Sequence, residues 1–164
     1  MLIVEGMDGV GKTTLVDYFV SNGMKKYHFD YDVKNMDLMT KYMRILKEDT
    51  GSLVLDRSFI SEMVYGPVLR GKSKIHLEEY TKLLMAYKQV DTSIIYLTAS
   101  KETLIARRLS DISDYNTIMQ YYDLLNKQYD SIMRYSEDYI DVYQYNTSFE
   151  NESQIQAKVK RLVR

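Results

Sequence analysis

The sequence predicts a single three-layer α/β domain over residues 1–164, with a parallel sheet of about five strands flanked by helices. Three observations carry this. Short apolar runs alternate with longer amphipathic segments, as strands joined by crossover helices do. Leu2-Ile3-Val4 and the run over residues 92–97 are continuously apolar, which suits strands covered on both faces. A glycine-rich turn over residues 6–11 joins the first of these runs to the first helical pattern. A hydrophobic content of 45% is enough for one buried core, and no repeat, low-complexity tract or linker divides the chain.

The elements follow in order. After the strand Leu2-Ile3-Val4, the apolar residues Leu15, Val16, Phe19 and Val20 recur at helical spacing. A weaker strand over residues 26–29 precedes a helix carrying Leu38, Met39, Tyr42, Met43 and Leu46. Residues 52–55 form the next strand, and Leu83, Leu84 and Tyr87 mark the helix before the strand at 92–97. Helical patterns over 103–109 and 118–135 lead to a last strand at 140–145, and Ile155, Val159, Leu162 and Val163 stripe a final helix that covers the sheet. The stretch 69–72, just after the only proline, Pro67, reads as an exposed loop. Sixteen tyrosines against four phenylalanines and no tryptophan read as tyrosine replacing phenylalanine in the core and at its boundary.

Composition removes several classes of function. With no cysteine and two histidines, disulfides, a redox pair and a thiolate metal site are excluded, and a zinc enzyme is disfavoured. A net charge of −1 argues against a nucleic-acid partner held by a broad basic face. No run reaches the roughly 18 to 20 apolar residues of a membrane span, and no basic leader precedes Leu2, so a soluble, cytoplasmic protein is expected. The sequence is compatible with a homodimer.

Chemistry must then come from carboxylates, lysine, arginine and backbone. Gly6-x-x-x-x-Gly11-Lys12-Thr13 fits the Walker A pattern, and it lies between a strand and a helix as that pattern requires. Gly6, Gly9 and Gly11 let the backbone around Val10 turn its N–H groups onto a β-phosphate, and the helix that opens with Thr13 and Thr14 adds its positive end. Lys12 supplies a charge across the β- and γ-phosphates of ATP, and the Thr13 hydroxyl is suited to Mg²⁺. A P-loop NTPase fold is therefore expected, with ATP and Mg²⁺ as cofactors. Asp56, at the carboxyl end of the strand Leu53-Val54-Leu55, is suited to the metal or, alternatively, to capping a following helix.

The block Ile3-Val4-Glu5-Gly6-Met7-Asp8-Gly9-Val10-Gly11-Lys12-Thr13-Thr14, together with Asp56-Arg57-Ser58, resembles the thymidylate kinase and deoxynucleoside kinase group of P-loop kinases. The loop wording is closest to thymidylate kinase. The resemblance implies that Asp8 orients the acceptor sugar, that Asp56 serves the metal, and that Arg57 grips the acceptor phosphate or the transferring group. Ser61 and Tyr65 match the family's Asp-Arg-x-x-x-Ser-x-x-x-Tyr and are implied to be substrate residues. Residues 95–108 look like the strand and helix leading into the family's lid, here near 107–115. Arg107 is implied as the lid arginine that stabilises charge in transfer, with Arg108 as a second nucleotide-binding candidate. A solvated helix face is the alternative for both.

Two acceptors are open. A nucleoside's neutral 5′-hydroxyl benefits from a carboxylate base, for which Asp30 and Asp32 are candidates; they lie in Phe29-Asp30-Tyr31-Asp32-Val33, where thymidylate kinases usually carry an Arg-Glu-Pro-type segment. Turn chemistry explains those residues equally well. A monophosphate needs cations instead, and Arg57, Arg70 and Lys34 are available. The loop wording favours a deoxynucleoside monophosphate. A nucleotide-dependent switch fits less well, because there is no Asn-Lys-x-Asp tetrapeptide and Asp-Arg-Ser stands where a switch GTPase carries Asp-x-x-Gly. A kinase acting on modified bases or a polynucleotide end is a further, narrower reading.

Overall fold

In a computed structural model that describes residues 1–28, 37–48, 50–107 and 115–162, five parallel strands form one sheet in the order β2-β3-β1-β4-β5. The strands are β1 (Leu2–Glu5), β2 (Lys25–His28), β3 (Leu53–Asp56), β4 (Ser93–Thr98) and β5 (Asp141–Asn146). All four pairings are parallel, with Ile3 opposite both Leu55 and Ile94. The predicted strands are all present, although Phe29, expected at the end of β2, lies outside the described residues. Central β1 and β4 are buried along nearly their whole length, which explains their continuous apolar character, whereas edge strand β2 is mostly exposed and carries Lys25 and Lys26.

Seven α-helices are present among the described residues: α1 (Lys12–Ser21), α2 (Leu38–Ile45), α3 (Phe59–Arg70), α4 (Leu77–Lys88), α5 (Lys101–Ala106), α6 (Tyr115–Glu137) and α7 (Glu152–Val159). Right-handed crossovers sort them. The step from β1 to β2 runs opposite to every later step, so α1 covers one face, where it packs on α7. Helices α2, α3, α4 and α6 pack together over the other. Local chemistry sets the starts: Asp37 accepts from the Met39 and Thr40 amides, and Ser100 from Thr103.

Helix α3 corrects the sequence reading, which left residues 69–72 as a loop. The helix runs through Pro67 to Arg70 and stops at Gly71, whose φ of 75° is the left-handed conformation of a helix end. Eight consecutive residues, Phe59 to Gly66, are buried, so no single apolar stripe marks the helix. Pro67 has no N–H for the Met63 carbonyl one turn back; Gln128 Nε2 of α6 donates to it instead at 3.0 Å.

Tyr42, Tyr80, Tyr87, Tyr96 and Tyr129 lie fully buried, where a phenylalanine would. Phe59 meets Tyr42, Tyr80 and Tyr87 edge-on, and Tyr96 stacks on Tyr129 at 5.5 Å. The hydroxyls of Tyr80 and Tyr87 find partners: Tyr80 with Ser136 Oγ at 2.6 Å, and Tyr87 on the Tyr42 carbonyl at 3.1 Å.

Candidate functional site

The site lies outside the carboxyl end of β1, where connections leave to opposite sides and an open α/β sheet has its crevice. Gly6 has φ +143°, and a Cβ there would fall 2.2 Å from the Leu97 carbonyl oxygen of β4, so only glycine lets the chain leave β1 along this path. Gly11, at φ +99°, is the N-cap of α1, and Lys12 is the first residue of that helix. Gly9, Val10, Gly11, Thr13 and Thr14 thus make one loop-to-helix turn, with Thr13 and Thr14 exposed on the first turn.

Lys12 is 6% exposed and folds back over this loop, donating to the Met7 carbonyl at 2.7 Å with Asp8 Oδ1 at 3.7 Å. Burial, reinforced by Arg57, lowers its ammonium to about 8 against the attraction of Asp8, Glu5 and Asp56. Arg57 donates to Asp8 Oδ1, lies 5.2 Å over the Tyr65 ring, and adopts φ +69°. A non-glycine residue in that region stores strain, which concentrates at functional sites. Its amide donates to the Val4 carbonyl at 3.1 Å, which pins the turn to β1. Tyr65 donates to Asp8 Oδ2 at 3.4 Å. Burial alone would raise the Asp8 carboxyl, yet Arg57 and Lys12 with the two hydrogen bonds bring it below the ordinary carboxylate value.

Asp56 does not cap α3; that position belongs to Ser58, whose hydroxyl accepts from the Ile60 amide at 3.2 Å. Asp56 is instead 4% exposed, with Oδ2 held by Lys26 Nζ at 3.0 Å and by His28 Nδ1 at 3.2 Å. The oxygen donors available fit Mg²⁺, which takes a hydroxyl, one or two carboxylates and phosphate oxygens rather than a protein cage. No cluster of three or more His, Cys, Asp or Glu that could hold a metal ion occurs among the described residues.

Arg107, expected on a lid, ends α5 and bridges two loops: Nη1 donates to the Gly9 carbonyl at 2.9 Å and Nη2 to the Thr147 carbonyl at 2.8 Å. Between them opens a cleft of about 480 Å³, bounded by Gly11, Leu15, Leu97, Thr147, Asn151 and Ile155. The sequence reading did not include its Thr147 to Glu152 side. Ser61 is 1% exposed and donates to Glu5 at 2.8 Å, facing that carboxylate rather than open space. Arg70 is not the free loop cation expected: on the last turn of α3 it pairs with buried Glu62, which also accepts from the Lys74 amide at 2.7 Å. Asp30, Asp32, Lys34, Arg108 and residues 109–114 of the expected lid lie outside the described residues. Lys26, His28 and Glu5 were missed; an acidic residue closing an otherwise apolar strand was the available signal for Glu5.

A parallel 2-3-1-4-5 sheet with a Gly-Lys-Thr loop between β1 and α1 is the P-loop kinase fold. The YorR protein of Bacillus subtilis, solved in complex with phosphorylated GDP, aligns with a TM-score of 0.83 at 19% identity, over 99% of this chain and 94% of that one. The thymidylate kinase of Candida albicans aligns with a TM-score of 0.65 at 11% identity, over 99% and 89%. The deoxyadenosine kinase of M. mycoides with bound dCTP aligns with a TM-score of 0.59 at 19% identity, over 99% and 98%. No family model and no curated protein matches the sequence. No described helix is long and apolar enough to cross a membrane.

Proposed function

We propose that the protein transfers the γ-phosphoryl group of ATP to a deoxynucleoside monophosphate. The observation that carries this reading is the junction of Lys12, Arg57 and Asp8 at the mouth of the phosphate loop, one buried and one partly buried cation around one carboxylate. A monophosphate dianion already attacks well and needs charge neutralised around it, which Arg57 supplies from the acceptor side and Lys12 from the donor side. Asp8 presents the carboxylate for an acceptor hydroxyl and keeps both cations oriented. The cleft beside Arg107 has the volume of a small-molecule subsite and suits the adenine and ribose of ATP, with Leu15, Leu97 and Ile155 for the base. Thr13 and Asp56 would hold Mg²⁺, which supplies further charge neutralisation on the phosphates.

In the reaction an acceptor phosphate oxygen forms a bond to Pγ as the bond from Pγ to the β,γ-bridging oxygen breaks. ADP leaves carrying that electron pair, and no proton need move. Lys12 and Arg57 follow the charge that spreads over the γ-oxygens, and Arg107 bridges the loops that enclose it.

The alignment with deoxyadenosine kinase over nearly the whole of both chains favours a second reading, with a deoxynucleoside as acceptor and Asp30 or Asp32 as base. A panel of the four deoxynucleosides and their monophosphates, assayed with ATP for ADP release, separates the two. Turnover of a monophosphate, greatly weakened in Arg57→Ala and little changed in Asp30→Asn and Asp32→Asn, is the expected result. Turnover of deoxynucleosides alone, with a severe defect at Asp30 or Asp32, would move the assignment to the second acceptor.

A further inference from the structure

Glu5 closes β1 at 0% exposure, in a position that a strand covered on both faces ordinarily gives to valine or isoleucine. A carboxylate is tolerated there only when its oxygens are hydrogen-bonded. Oε1 accepts from the Ser58 amide at 2.7 Å and from the Ser58 hydroxyl at 2.9 Å. Oε2 accepts from the Ser61 hydroxyl at 2.8 Å and from the Tyr129 hydroxyl at 3.3 Å, and Tyr129 also lies 3.1 Å from the Gly6 carbonyl that it bonds. Burial raises the Glu5 carboxyl, while Ser61, Arg57, Ser58 and Lys12 oppose that rise.

The partners belong to three parts of the site. Glu5 immediately precedes the phosphate loop, Ser58 immediately follows Arg57, and Tyr129 stands on α6. One carboxylate thus spans the donor-binding loop and the arginine turn of the acceptor side. We infer that Glu5 is a positioning residue that fixes the phosphate loop and the Arg57 turn in one register, so that Lys12 and Arg57 converge on the same phosphoryl group. The inference rests on the phosphoryl transfer proposed above. Glu5 touches neither nucleotide nor acceptor; it acts through Ser58 and Gly6.

Two variants test it. Glu5→Gln keeps the shape: its carbonyl oxygen still accepts from Ser58, and its amide can donate to the Ser61 and Tyr129 oxygens, but the charge is gone. Tyr129→Phe leaves the carboxylate in place and keeps the stack on Tyr96, but removes the tie from α6 to both Glu5 and Gly6. Thermal melting, the Kd for ADP, and kcat and KM with ATP and the preferred acceptor are measured for both variants and the wild type. A misplacement on the ångström scale predicts a fall in kcat of about a hundredfold for Glu5→Gln and about tenfold for Tyr129→Phe, with ADP affinity and both KM values little changed. Folded variants with wild-type kcat would overturn the inference, as would ADP affinity and kcat falling together in step with the melting temperature. If Glu5→Gln does not fold, Tyr129→Phe decides by the same criteria. If the wild type binds ADP but phosphorylates nothing in the panel, the functional reading fails and takes this inference with it; if the wild type is active and the variants match it, only the inference fails.

Discussion

Lys12 is a lysine held by burial at about 8, near the pH at which an enzyme works. Its folded value lies below the ordinary lysine value, so above about pH 8 it is increasingly neutral in the empty site. Phosphates favour the charged form, and binding above that pH must therefore take up a proton. Affinity for ADP, measured without divalent cation across roughly pH 7 to 9.5, should be flat at the lower end and then weaken towards a slope of about tenfold per pH unit. Affinity independent of pH over that range would mean that Lys12 does not meet the phosphates. Asp56→Asn makes the companion prediction. Ser58 provides the helix cap, so loss of a cap cannot account for a defect at Asp56. Its expected effect is a higher Mg²⁺ concentration for half-maximal activity, with the fold retained; unchanged metal dependence would leave Asp56 as the partner of Lys26 and His28 only. At this scale the loop residues and the Asp-Arg pair were legible as candidates, because a phosphate-binding turn would restrict both residue type and spacing. Lys26, His28 and Thr147 were not, because they meet the site only through strand pairing and loop approach across the fold.

Among the elements, α3 was the one the sequence concealed. Helical periodicity is visible when one face is wet, and the buried run from Phe59 to Gly66 leaves no wet face. Pro67 then reads as a break, although Gln128 of α6 satisfies the carbonyl that the proline orphans. This gives a test in two steps. Gln128→Ala should destabilise the protein by about 1 to 2 kcal/mol in urea unfolding, the cost of a carbonyl left without its donor. In a Pro67→Ala background the restored amide can reach Met63 from within α3, and the same Gln128 substitution should then cost markedly less. Equal costs in the two backgrounds would show that Gln128 contributes through packing. The central strands β1, β3 and β4, by contrast, were readable individually, because a parallel strand buried on both faces has little freedom in composition, whereas exposed edge strand β2 gave the weaker signal.

For the molecule as a whole, the order of the strands decides where the candidate site lies: one reversal of direction at β1 gathers the glycine-rich loop, the Arg57 turn and Arg107 at a single end of the sheet. The core beneath that end is built around phenols, and this gives the protein an alkaline limit of its own. Burial raises the hydroxyls of Tyr80, Tyr87, Tyr96 and Tyr129 far above the ordinary phenol value of about 10. The folded chain therefore keeps protons that the unfolded chain releases. That stabilisation is complete below about pH 10 and is lost as the pH rises towards the folded values. Phenolate absorbance followed on raising the pH should resolve into two classes: exposed tyrosines that ionise smoothly, and a buried set that ionises only together with the loss of helical circular dichroism. With no tryptophan in the chain, nothing in that spectral region masks the second step. If all sixteen phenols ionised in one smooth step while the helices remained intact, these rings would not form the closed core described; ionisation in step with unfolding would mean that the residues that fill the interior also set the highest pH at which it holds together.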